Sequence, residues 1–163
     1  MKTRFKFKGF FPAILSLVLI GIMINFSLEI LTNSFYQRKP WVSLILLVFL
    51  IITFIWLVFG EVKNKFVVVN FEQTKISVKK FGGIFPKVEF HDSEVEGWKY
   101  SILNSRGGNY EYLYLYRGGK KIAKISEFYH QNYSEIKQHV KSKYKDLGFE
   151  QFSYLTEFRE FFE

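Results

Sequence analysis

The chain contains no cysteine, which excludes disulfides, thiolate metal sites and thiol nucleophiles and leaves the redox compartment unread. Histidine is almost as scarce. His91, His130 and His139 are scattered, and nothing in the sequence brings them together as metal ligands, which must converge on one point. The patterns GxxxxGK(S/T), HExxH, GxSxG and GxGxxG do not occur, so the common phosphate loop, zinc-protease, hydrolase and dinucleotide signatures are missing. His91-Asp92 falls at a predicted strand end, where a turn residue beside an acid is the simpler reading than a catalytic pair. The glycine pairs 82–83, 107–108 and 118–119 lie between predicted strands and read as turns. Glu94 and Glu96 share a strand face, as surface acids often do. The expectation is a protein without enzymatic activity, metal or cofactor.

Long apolar runs, by contrast, are present. Residues 41–59 (WVSLILLVFLIITFIWLVF) carry no charge. At about 1.5 Å per residue they nearly match a hydrocarbon core roughly 30 Å thick. Residues 10–31 form an earlier run, interrupted only by Ser16, Asn25, Ser27 and Glu29. Pro12 sits in its first turn, where a missing N–H costs little. A signal peptide is the rival reading, since Lys2, Arg4, Lys6 and Lys8 make a basic start. The run is longer than a signal core, however, and no small-x-small site follows it cleanly. The expectation is therefore a transmembrane hairpin over residues 1–60, with spans at about 10–32 and 41–60 joined by residues 33–40. Neither span has a GxxxG face. Glu29 is the one charge in a span; an ion path is one reading, an interfacial carboxylate near the connection the other.

The net charge of +8 is concentrated around these runs. The tail holds four bases and the connection two (Arg38, Lys39), whereas residues 61–163 hold 17 bases against 14 acids. A nucleic-acid groove would need denser clustering, so no nucleic-acid partner is expected. The excess of bases on the tail and after residue 60 favours both ends in the cytoplasm.

Beyond residue 60 the pattern becomes β. Strands are predicted at 66–70, 75–80, 84–90 (bent or at an edge because of Pro86), 97–103, 110–116 and 120–126. In 110–116 (YEYLYLY) the tyrosines occupy one face and Glu111, Leu113 and Leu115 the other. Gly118-Gly119 reads as a hairpin turn. The period then changes to helical, with Asn132 and Glu135 as a capping pair and Tyr133, Ile136, Val140, Tyr144 and Leu147 on one face, ending at Gly148. Lys137, Lys141 and Lys145 run along its flank. Residues 149–163 form an aromatic and acidic tail in which Phe158, Phe161 and Phe162 fit one helical face.

Through KISVKKFGG, HDSEVEGW, GGNYEYLYLYRGGKKIAKIS and NYSEIKQHV, residues 61–148 resemble the bacterial pleckstrin-homology-like domains of small membrane proteins. The resemblance implies a bacterial inner-membrane protein. Its fold would be a membrane-anchored α+β arrangement with a PH-like antiparallel β-barrel or sandwich capped by a C-terminal amphipathic helix. Such domains usually have seven strands; the seventh would lie near 61–65 or 93–96. Lipid head groups or proteins are the ligands implied. The first hairpin loop, 71–74 (FEQT), is acidic where a phosphoinositide site would be basic, so no ligand residues carry over.

The functional expectation is a tethered binding module. It would recruit a protein partner through an exposed sheet edge or the aromatic tail. Alternatively, it would read anionic lipid through Lys75, Lys79, Lys80, Lys137, Lys141 and Lys145, or serve as an accessory subunit of a transporter or envelope complex with Glu29 as a polar contact.

Overall fold

The computed structural model describes residues 1–105 and 108–159. A 3₁₀ turn, Phe7–Phe10, leads into helix α1, Phe11–Thr32, with Pro12 in its first turn. The connection holds a short helix, α2 (Ser34–Arg38), started by the Asn33 side chain accepting from the Phe35 N–H. Helix α3 starts at Pro40, is α-helical to Ile55 and continues with π winding from Trp56 to Lys63. Helices α1 and α3 pack side by side. Both are long and apolar enough to cross a membrane, and only 11% of the most apolar window of each is buried. Away from the face each turns to the other, their apolar side chains are exposed.

The rest is α+β. Strands β1 (Val68–Phe71), β2 (Lys75–Lys79) and β3 (Val88–His91) form one antiparallel sheet in that order. Strands β4 (Gly97–Ser105), β5 (Gly108–Arg117), β6 (Lys120–Ser126) and β7 (Asp146–Phe149) form a second, ordered β6-β5-β4-β7. Helix α4 spans Tyr133–Lys143 and helix α5 Tyr154–Arg159. One core joins both sheets to α4: Val69, Phe71, Ile76 and Val78 meet Trp98, Leu113, Leu115, Ala123 and Ile125, with Ile136 and Val140 from the helix.

Several expectations are corrected. Of the expected barrel or sandwich, the closed barrel is not formed by the described strands, which make two sheets over a shared core. The seventh strand lies neither at 61–65, which is the end of α3 and its exit, nor at 93–96, where Asp92–Glu94 is a 3₁₀ turn. It follows α4, and it pairs parallel with β4 rather than antiparallel. The helix was expected to reach Gly148 but stops at Lys143, because Tyr144 turns extended (φ −122°, ψ 152°). The Tyr144 ring then packs in the core and its hydroxyl donates to Asp92. The chain runs on along β4, with the Trp98 N–H donating to Lys145 (2.9 Å) and the Glu150 N–H to Tyr100 (2.8 Å). Gly97 makes this approach possible, since a Cβ there would lie 2.3 Å from the Lys145 carbonyl oxygen. Leu147 accordingly leaves the helical face and packs beneath the tyrosines.

Strand β5 is covered on both faces. Leu113 and Leu115 enter the main core, while Tyr112, Tyr114 and Tyr116 form a second cluster with Leu103, Leu147 and Phe152. Gly118 and Gly119, both at positive φ (56° and 70°), make the tight turn to β6.

The N-terminal residues belong to this domain. Thr3 N–H donates to Val69 O (2.9 Å), and the Thr3 hydroxyl accepts from the Val69 N–H (2.9 Å). Lys2 bridges to Asn70 and Phe5 to His130, in antiparallel fashion. The segment therefore covers the outer edge of β1 before it turns into α1.

Candidate functional site

The two sheets part beside β6. There, a cleft of about 670 Å³ is lined by Val78, Phe85, Pro86, Val88, Phe90 and Ile122, with Lys80, Arg117, Lys120 and Lys121 around it. A neighbouring cavity of about 360 Å³ continues along β6 to Lys124 and Asn64. Asn64 is the residue immediately after α3. The combination is an apolar floor with a basic rim between two edge strands, β3 and β6.

The cross-strand register sets where Lys121 and Lys124 point. Tyr114 faces Lys124, Leu115 faces Ala123 and Tyr116 faces Lys121, so Ile122 is an extra residue on β6. A bulge of this kind re-aims side chains that strict alternation would place otherwise. Lys121 and Lys124, three apart, both reach the tyrosine face. Lys121 Nζ lies 4.2 Å from the Tyr114 ring centroid, and Lys124 Nζ lies 5.4 Å from that of Tyr112 and 5.6 Å from that of Tyr114. Lys99 sits 5.0 Å from that of Tyr116. Such cation–π placement keeps a cation beside an apolar surface at modest cost.

Two acids partly balance the rim. Glu94 pairs with Arg117 (3.1 Å). Glu150 pairs with Lys121 (2.7 Å) and accepts from the Tyr116 hydroxyl. Burial pushes the Glu150 carboxyl up, but the hydrogen bonds from Lys121 and Tyr116 and the charges of Lys121 and Lys99 outweigh it and hold the group below the usual carboxylate range.

The six lysines singled out from sequence do not converge. Lys80 alone lines the cleft. Lys75 pairs with Glu89 (3.2 Å) and lies opposite His91, at the far end of β2. Lys79 lies opposite Val68. Lys137 pairs with Glu111 (2.5 Å) over the Tyr100 ring, and Lys141 sits 5.8 Å from the Trp98 ring centroid. Lys145 lies beyond the helix, so the expected flank of three is two. Sequence reading missed Arg117, Lys120, Lys121 and Lys124. Their signal was the run RGGKKIAK across a hairpin, which alternation alone divides between two faces.

Asn132 and Glu61 hold elements of the fold together. Asn132 does not cap α4 with its side chain. Its Oδ1 accepts from the Arg4 N–H (2.9 Å) and its Nδ2 donates to Lys2 O (2.9 Å), holding the N-terminal segment. Glu61 accepts from Lys65 and from the Tyr129 hydroxyl, both at 2.6 Å, which ties the end of α3 to the β6–α4 loop. Glu29 is exposed near the end of α1, beside a shallow groove that includes Gly21 and Asn25. Among the described residues, no group of three or more histidines and carboxylates is placed to hold a metal ion. Phe161 and Phe162 of the expected tail face lie outside the described residues. Compared with known proteins, the chain matches no family model, no curated protein and no solved structure.

Proposed function

We propose that this protein is a non-enzymatic, membrane-tethered binding module. In this reading α1 and α3 span the inner membrane of a bacterium, and both termini lie in the cytoplasm. The β domain recruits a protein partner at the cytoplasmic face. Two sheets and an amphipathic helix sharing one core support the PH-like reading of the domain. The observation that carries the functional reading is the cleft between β3 and β6. Unpaired backbone at a strand edge accepts an extended segment by strand addition. The floor of Val78, Val88, Phe90 and Ile122 suits alternate apolar side chains, and the rim of Lys80, Arg117, Lys120 and Lys121 suits acidic ones. The partner is thus an extended, acidic segment with apolar residues at every second position.

Selection from a random displayed-peptide library against the full chain in neutral-lipid nanodiscs tests this. Enriched sequences should be acidic with a period of two, and Lys120→Glu with Lys121→Glu should abolish their binding. Enrichment of basic or unpatterned sequences, or binding untouched by that charge reversal, would contradict it.

A second reading rests on the smaller cavity. It reaches Asn64, directly after α3. Lys80, Lys120, Lys121 and Lys124 would then lie near lipid phosphates, and the ligand would be an anionic head group. Binding of that kind needs anionic lipid and weakens with salt; apolar peptide addition is much less salt-sensitive.

A further inference from the structure

The loop between β2 and β3 carries the most exposed apolar pair of the β domain. Ile84 is 87% exposed and Phe85 51%. Adjacent large apolar side chains held out to solvent generally mark an interaction surface. The loop is built to hold them there. Phe81, Gly82 and Gly83 all adopt positive φ (53°, 66° and 102°), a conformation that a residue with a side chain such as Phe81 adopts only under constraint. The constraint is visible: the Gly82 N–H donates to Phe66 O at 2.6 Å. The loop presses so closely on Phe66 that a Cβ on Gly82 would lie 2.2 Å from its ring. Phe85 stacks on Phe81 with centroids 4.5 Å apart.

The position of the loop identifies its occupant. Phe81 packs into a cluster of Val62, Phe66 and Tyr129 with Phe5 and Ala13. Val62 belongs to the last turn of α3 and Ala13 to the first turn of α1. The loop therefore projects from the place where both apolar helices meet the β domain. At the domain-proximal ends of the two helices, Phe7 is 87% exposed, Phe11, Trp56 and Phe59 are also exposed, and Lys8 and Lys63 supply positive charge. Aromatic residues mixed with lysine are the usual occupants of the zone between hydrocarbon and water. Thr74, at the other end of β2, lies about 17 Å away along a five-residue strand.

We propose that Ile84 and Phe85 insert into the membrane interface as a third contact point beside the two spans, fixing the tilt of the β domain over the lipid. The inference rests on the reading of α1 and α3 as spans. The test exploits the lack of cysteine: single-cysteine variants Ile84→Cys, Thr74→Cys and Leu46→Cys of the full chain carry a polarity-sensitive fluorophore in phosphatidylcholine–phosphatidylglycerol vesicles. Iodide quenches from water, and lipids spin-labelled near the head group or deep in the chain quench from the bilayer. The Ile84 label should lose most of its emission to the shallow lipid quencher and little to iodide, with Thr74 the reverse and Leu46 responding to the deep quencher. Failure at Leu46 would remove the spans themselves. A normal Leu46 response with an Ile84 label as open to iodide as Thr74 would overturn the insertion alone. An Ile84 label shielded from iodide yet untouched by lipid quenchers would also overturn it, by showing protein in place of lipid.

Discussion

His130 is completely buried, and each of its ring nitrogens faces the backbone. Nε2 lies 2.9 Å from Val67 O, and Nδ1 lies 3.2 Å from Ser126 N. A neutral ring protonated at Nε2 donates to the first and accepts from the second; one protonated at Nδ1 donates instead to Ser126 O, 3.0 Å away. Burial, aided by the charge of Lys6, pulls its pKa below the ordinary 6.5. The unfolded chain then binds the proton more readily than the folded one, so stability present above pH 6.5 is lost as pH falls from there through the lowered value. His130→Ala leaves Val67 O and the Ser126 N–H without their partner and should cost about 2 kcal/mol or more. Denaturant unfolding of the detergent-solubilised chain at pH 7.5 and 5.5 checks both points: the wild type should lose stability at the lower pH and the variant should lose less. Little of this was legible beforehand, because a lone histidine before a helix carries no mark of burial. Asn132 misled for a related reason. Its spacing to Glu135 is that of a capping pair, but its amide is used by residues 2 and 4, and such long-range demand leaves no local trace.

Among the elements, six strands within 61–126 were readable from β-branched runs, alternation or bounding glycines, although the third, expected at 84–90, begins only at Val88 because the preceding residues form a loop; the amphipathic start of α4 was readable because Tyr133, Ile136 and Val140 recur at helical spacing. Strand β7 was hidden because Asp146–Phe149 is short and Leu147 keeps the helical spacing of Val140 and Tyr144, although the helix has already ended at Tyr144. The bulge at Ile122 was hidden as well, because pairing register depends on the partner strand. The N-terminal segment reads from sequence as a basic tail and serves in the structure as an added strand-like edge on β1. Thr3→Ala removes the hydroxyl that accepts from the Val69 N–H. Loss of one such bond costs about 1 kcal/mol, and amide exchange at Val69 should speed up by roughly fivefold. Unchanged exchange there would mean that the segment does not hold the edge of β1.

At the scale of the whole molecule, one arrangement follows from the contacts. The N-terminal segment and the β domain lie at one end of the helical pair, and α2 lies at the other. The apolar runs announced the pair, while the closeness of residues 1–6 to β1 and the β6–α4 loop did not show in the sequence. The cleft between β3 and β6 was the least legible feature, because it is assembled from β2, β3, β6 and the hairpin between β5 and β6, and no single segment carries it. On the proposed reading, both helices cross the bilayer and place α2 and the β domain on opposite sides. Labelling of Ser34→Cys and Thr74→Cys with a membrane-impermeant maleimide, in sealed vesicles of each orientation, tests it most directly. Each site should be labelled in one orientation only, and the two sites in opposite ones. Labelling of both sites from the same side would contradict it.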